Sequence, residues 1–533
     1  MKRFLAPLLF FLPYIALAQS APSTVGEVSF PNSGSRAAQS DFLRGLAQLH
    51  NFEYEDAAKH FRRAEEIDPN FAMAYWGEAM TKNHGVWHDQ DRDAARSALE
   101  KLAPTPEARQ AKAATPREKE YLSTVEVLYG EGSKDDRDQK YEAAMATLQQ
   151  NFPDDVDATA FYALSILSSA EHGRDFATYM RAASVLEEVF ALHPRHPGVV
   201  HYLIHSYDDP IHAPLGLRAA RIYAQLAPEA GHAQHMTSHI FLALGMWEDV
   251  VKANETAIAV VNRQRAEAGR PPRWCGHYPY WLEYGYMQLG RVSEARRILT
   301  ACREEALRQA ARISNNSGAT AGPDSPINSY AEMRANFLVD SQLWQDQVAS
   351  WTFPVGDYPF AQLTFDYATA LAAYKSSNLP AAKEAREHMD DDARLARAWV
   401  DKYQSGDANA YARISILVDQ IGALFYPSNS AARDSLPPEA IALLKSVAEK
   451  ERVLPLEFGP PVIYKPTDEL LGELCLRANH PTEAAAAFAS DLARAPGRRL
   501  GAQGLATSAQ QISPAKAPTA SAKPAAAENH VHN

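Results

Sequence analysis

Cysteine is scarce in this chain: the 533 residues contain three, Cys275, Cys302 and Cys475. Three thiols cannot all pair within one chain, and a cysteine-dense secreted scaffold is excluded. There is no dense basic run, and the formal net charge is −12. That balance argues against nucleic acid and against an anionic membrane surface as partners. The chain has no HExxH, no GxSxG and no phosphate-binding glycine loop, so the usual signatures of metalloprotease, serine hydrolase and nucleotide chemistry are missing. No strand pattern of useful length appears. After the first twenty residues no segment is apolar for long enough to span a bilayer.

What is present points to a folded helical chain. Apolar residues make up 46% and charged residues 22%, the balance of a globular protein. The length exceeds one ordinary compact domain, which leaves several domains or a repeat array. The chain opens MKRFLAPLLFFLPYIALAQS. Lys2 and Arg3 form a positive leader, Phe4 to Ile15 a short apolar run, and Ala16-Leu17-Ala18 a small-x-small cleavage signal. This predicts a secretory signal peptide over 1–18 and an exported bacterial protein, most simply periplasmic. Its removal would take the net charge to about −14. Export permits one disulfide without requiring it.

Repeats dominate the rest. In GLAQLHNFEYEDAAKHFRRAEEIDP, Gly45, Ala57, Phe61 and Pro69 recur at the spacing of Gly472, Ala484, Phe488 and Pro496 in GELCLRANHPTEAAAAFASDLARAP. Small residues let two helices approach, the aromatic fills the hairpin, and proline ends the second helix. These intervals resemble the 34-residue tetratricopeptide repeat (TPR) family. Further units are read at ASVLEEVFALHP, HIFLALGMWEDVVKANETAI, EYGYMQLGRVSEARRIL and DYATALAAYKSSNLPAAKEA. The fold implied is all-α: a TPR-type superhelix with irregular loops and a disordered C-terminal tail. The expected organisation is a signal peptide (1–18), an N-terminal extension (19–38), a TPR-like array (39–311), a loop (312–329), a second TPR-like segment (330–506) and the tail (507–533). LEFGPPVIYKP, residues 456–466, is expected to be extended. The stretches FPNSGS, FLRGLAQLHNFEYEDAA, DPNFAMAYWGEAMT, HYLIHSYDDP, HMTSHIF and KPTDELLGE also resemble a group of exported bacterial TPR proteins. That resemblance implies the fold and no particular chemistry.

The segment HYLIHSYDDPIHAPLGLRAARIYAQLAPEAGHAQHMTSHIF holds six histidines. With Pro194 closing one unit, His201 and His205 occupy the same places as His235 and His239, 34 residues on. His232 shares the face of His235 and His239, because i, i+3 and i+7 lie together on a helix. The resemblance implies that this face lines the concave groove. Stacked helices would place His201, His205, His235 and His239 at the corners of a rectangle. Glu171, 34 residues before His205, extends the column, and an offset of 45 makes His277, Tyr280 and Tyr284 the equivalents of His232, His235 and His239. Asp208 and Asp209 are candidate ligands or acceptors that fix an imidazole tautomer.

Three readings follow. The first is a transition-metal site built on His201, His205, His232, His235, His239 and Glu171, with zinc, copper or iron as the ion. The second is a metal-free groove for a protein or peptide partner. The third is a metal-dependent enzyme using the same groove, with Glu171 or Asp208 as base. Met236 lies on a different face from its neighbour His235, which argues against a sulfur-rich copper(I) site. His84 and His88 read as packing near a helix end, and His193, His196 and His212 as solvated turn residues. His530 and His532 lie in the tail as weak metal binders. Cys275 and Cys302 fall close in an antiparallel pair and are candidates for a disulfide. Cys475 reads as a buried thiol.

Overall fold

A computed structural model describes residues 24–170, 173–315, 320–352, 358–404, 407–425, 437–456 and 458–512. The signal peptide, Glu171, His530 and His532 lie outside the described residues. Within them the chain forms 23 α-helices, two 3-10 turns and a hairpin of two two-residue strands. Successive helices pack as antiparallel neighbours, giving a TPR-type helical array.

The small residues and aromatics of the repeat do what their spacing predicts. Phe61 lies under Gly45 and Gly77: a methyl at Gly77 would meet its ring at 2.4 Å. Phe488 is enclosed in the same way by Gly472 and Gly504, at 2.7 and 2.2 Å. Such contacts admit no extra carbon without movement. Prolines 106, 116, 197, 326, 359, 438 and 481 stand in the first turn of helices, where their missing N–H costs nothing.

Two boundaries differ from expectation. The last helix, Arg499–Ile512, runs past residue 507 because Leu500 and Ser508 are buried and Gly504 rests on Phe488. The loop after residue 312 begins later, since the preceding helix continues to Ser314, and the next starts at Pro326. One buried cluster runs from Val251 to Phe488 across that loop, so the loop interrupts the chain and not the core. Residues 456–466 are non-helical where described, as expected. Cys275 and Cys302 are joined in a disulfide with Cα atoms 4.6 Å apart, and Cys475 is buried and free.

Both ends of the array reach its middle. The first helix, Gln39–His50, packs against the helix Pro197–Tyr207. Asn51 accepts a hydrogen bond from Tyr223 at 2.8 Å. From the other end, Gly497 accepts one from Trp247, also at 2.8 Å. The middle helices are therefore enclosed by residues more than 150 positions away in sequence.

Candidate functional site: a chamber of six histidines

Three first helices of successive hairpins carry the histidines: Pro197–Tyr207, Gly231–Ala243 and His277–Gln288. On these helices His201, His205, His232, His235, His239 and His277 converge. They do not line an open groove. His201, His205, His232, His235 and His239 are buried, with His201 and His235 at 0% exposure; His277 is exposed to solvent. Phe52, held at a positive φ of 57°, covers His201 with ring centroids 4.4 Å apart. Trp281 lies 4.3 Å and Phe458 5.8 Å from His239. Trp281 lies on the helix of His277, whereas Phe52 and Phe458 come from the N-terminal hairpin and the 456–466 segment, neither of which adjoins the histidines in sequence.

Partners at Nδ1 orient His235 and His239. His235 Nδ1 lies 2.7 Å from Asn254 Oδ1, while the Asn254 amide nitrogen donates to the Val250 carbonyl. The Asn254 oxygen must accept, so His235 carries its proton on Nδ1. His239 Nδ1 lies 2.5 Å from the Asp208 carboxylate, which only accepts, so His239 is protonated on Nδ1 as well. When both rings are neutral, both Nε2 atoms are bare lone pairs, and they stand 3.0 Å apart. Two acceptors cannot hydrogen-bond each other. Two nitrogens bound to one ion at about 2.0–2.1 Å stand about 2.9–3.4 Å apart for right to tetrahedral angles, which is the separation found. His277 completes this triad, with its ligand atom and those of His235 and His239 all within 4.8 Å of one another.

A second triad, His201, His205 and His232, meets the same limit. His201 donates from Nδ1 to the His50 carbonyl at 2.6 Å, leaving its Nε2 bare and 3.2 Å from His232 Nε2. The triads adjoin: ring centroids of His205 and His239 are 6.0 Å apart, and those of His232 and His235 6.2 Å.

Burial keeps His201, His205, His232 and His235 neutral. Desolvation, the largest influence, pushes His201 down to about 3 and holds His205, His232 and His235 well below the ordinary value. His277 is lowered too, by desolvation and then by His239 and Arg273. Neutral imidazole is the metal-binding form. Nitrogen-15 NMR of the metal-free protein is expected to show His201, whose folded value is about 3, uncharged from pH 8 down to 5, and His235 uncharged through its ordinary range. A transition near pH 6.5 in either ring would contradict the burial described.

A third group, His50, Asp157 and His196, shows the contrast. Its ligand atoms also fall within 4.8 Å, yet every proton has an acceptor. His196 accepts from the Val199 N–H on Nδ1 and meets Asp157 through Nε2 at 3.2 Å. His50 meets Asp157 through Nε2 and Tyr202 through Nδ1, both at 3.0 Å. This is a satisfied structural network that ties the first helix to the array. His196 is thus a buried helix cap rather than a solvated turn residue.

The remaining expected site residues divide. Asp208 orients His239 as the outer carboxylate. Asp209 does other work: it accepts from the N–H groups of Ile211 and His212 in the turn before the next helix and pairs with Arg174 at 3.2 Å. Tyr284 turns away from the histidines to the guanidinium of Arg498, 3.1 Å off. No hydrogen bond or ring contact joins Tyr280 to the histidines; it packs on the C-terminal core cluster. His84 stacks on Tyr54 at 4.0 Å, and His88 is a left-handed residue with φ 53°. Sequence reading missed Asn254, Tyr278 and Trp281, and Glu53, whose carboxylate accepts from the His232 N–H at 3.0 Å. Tyr278 and Trp281 lie one and four residues after His277, so the extension of the column to His277 could have found them.

No protein-family model matches the chain, and no curated protein matches it. Among solved structures it is similar to yeast Tom70, at 11% identity over 90% of this chain and 96% of that one, with a TM-score of 0.31. It is similar to the P58(IPK) TPR domain, at 11% identity over 89% and 98%, TM-score 0.20. A monomeric mutant of IFIT1 with Gppp-AAAA is similar at 14% identity over 83% and 94%, TM-score 0.27. The TPR-type fold rests on the hairpin packing itself.

Proposed function

We propose that this protein is an exported TPR-type solenoid that binds a transition-metal ion between His235, His239 and His277. The observation that carries this reading is the pair of bare Nε2 atoms, 3.0 Å apart, whose Nδ1 protons are committed to Asn254 and Asp208. A positive ion is the partner that two facing lone pairs lack. The donor set is imidazole with a carboxylate behind it, which suits zinc, copper or iron and not magnesium or calcium. Asp208 and Asn254 would hold the ring orientations, and the ion would supply Lewis acidity.

Export is supported by the N-terminal leader and by the Cys275–Cys302 disulfide, a bond at home in oxidising compartments. No helix among the described residues is long and apolar enough to cross a membrane. Solenoids of this kind offer extended surface for protein or peptide partners, and such binding would use other faces than the buried chamber.

Elemental analysis of purified protein tests the metal reading. Wild type is expected to carry stoichiometric transition metal, and His235→Ala and His239→Ala to lower it by at least one ion per chain. Wild type that neither retains nor takes up such an ion, with no change in the variants, overturns the proposal. The same preparation from the periplasmic fraction is expected to begin at Gln19 and to release a single free thiol, that of Cys475, on denaturation. A full-length N-terminus or three free thiols would contradict export.

A further inference from the structure

We infer that the chamber holds two ions, the second in the triad His201, His205 and His232, and that the site is a dinuclear centre for late first-row metals. This rests on the metal reading above. The independent observation is His205: it is 3% exposed, and its Nε2 has no hydrogen-bond partner in the protein. Buried polar atoms are paired as a rule, and an orphan calls for an explanation. A ring nitrogen of His205 stands within 4.8 Å of the ligand atoms of His201 and His232. His201 Nε2 is bare as well, because its other nitrogen donates to the His50 carbonyl.

His232 is the adjustable member. Its Nδ1 lies 3.4 Å from the Tyr278 hydroxyl, which can donate or accept. When His232 donates from Nδ1 to Tyr278, its Nε2 becomes a third bare lone pair facing His201 and His205. The backbone N–H of His232 is held by Glu53, so the ring is positioned by a residue outside its own hairpin. The two triads face one another across about one ring's width, with Tyr278 touching both: it reaches His232 by its hydroxyl and stacks 4.6 Å from His235.

The donors decide the chemical class. Six imidazoles and no direct carboxylate suit zinc or copper and disfavour hard ions such as magnesium, calcium and manganese. The His50–Asp157–His196 group, equally compact, takes no ion, because its nitrogens are already hydrogen-bonded.

Native mass spectrometry of metal-stripped protein titrated with zinc chloride, and separately with copper sulfate, tests the count. Wild type is expected to saturate at two ions per chain with at least one of the two metals, and His205→Ala and His205→Asn at one. Circular dichroism identifies any variant that fails to fold, and the wild-type count decides by itself if one does. Saturation of wild type at one ion with both metals overturns the dinuclear centre and leaves the metal reading standing. No ion bound overturns both. Two ions retained in a folded His205 variant overturns the assignment to this triad.

Discussion

Replacing Asp208 with alanine is expected to weaken metal binding about 100-fold, and replacing it with asparagine about 10-fold, with the helical fold retained. Outer-shell partners of ligating histidines are worth about 10–100-fold in affinity. Asp208 is 3% exposed and meets His239 Nδ1 at 2.5 Å. Its carboxylate fixes the tautomer that leaves Nε2 bare, raises the basicity of the ring and supplies negative charge behind the ion. Asparagine can still accept through its carbonyl, so tautomer and orientation survive while the charge is lost. Alanine removes all three. Competition titration against a chromophoric chelator measures the two dissociation constants. Equal affinities for wild type and Asp208→Ala would show that the carboxylate does not act on the ion.

Arg498→Leu is expected to destabilise the fold by about 3–5 kcal/mol, the cost of breaking a buried ion pair from one side. Arg498 is fully buried. It bonds both oxygens of Glu469, at 2.8 and 3.3 Å, and pairs with Asp340 at 2.7 Å. Lys465 pairs with Glu469 at 2.6 Å and with Glu473. The substitution would leave Asp340 and Glu469 without the guanidinium, with the Lys465 ammonium already shared between Glu469 and Glu473. Lysine at 498 keeps the charge and loses the planar fork, so Arg498→Lys is expected to fall between. Urea and thermal midpoints measure the loss. A midpoint within error of wild type for Arg498→Leu would contradict the account of this clasp. Metal affinity serves as an internal control, because these residues do not touch the histidines.

The hairpins were legible because their signals are local. Gly45 with Phe61, and Gly472 with Phe488, report close helix contact within one unit. The histidine register was legible for the same reason, since a 34-residue interval relates His201 to His235 and His205 to His239. The closure of the chamber was not. Phe52, Glu53 and the His50 carbonyl come from the first hairpin, and Phe458 from a proline-rich segment near the other end. None carries a pattern that marks it as a lid. The expectation of an open groove followed from treating each unit as touching only its neighbours, whereas this superhelix brings its ends to its middle. Tyr284 illustrates the consequence: its repeat position pointed to the histidines, and Arg498, 214 residues away, draws its hydroxyl elsewhere. KPTDELLGE carried the family resemblance with no role attached. Its Lys465, Glu469 and Glu473 are the buried charges that hold the last unit to the array. Asn254, which sets the tautomer of His235, sits in the second helix of the same hairpin and gave no signal, being one polar residue among Lys252, Glu255 and Thr256.

The central claim is that His235 and His239 face an ion and not each other. Crystals of the zinc-loaded protein, measured on both sides of the zinc absorption edge, test it most directly. The account predicts an anomalous peak about 2.0–2.1 Å from both Nε2 atoms, with His277 as a third ligand. Zinc-loaded crystals with no peak in the chamber, and with the two rings hydrogen-bonded to one another after one has changed its tautomer, would contradict it.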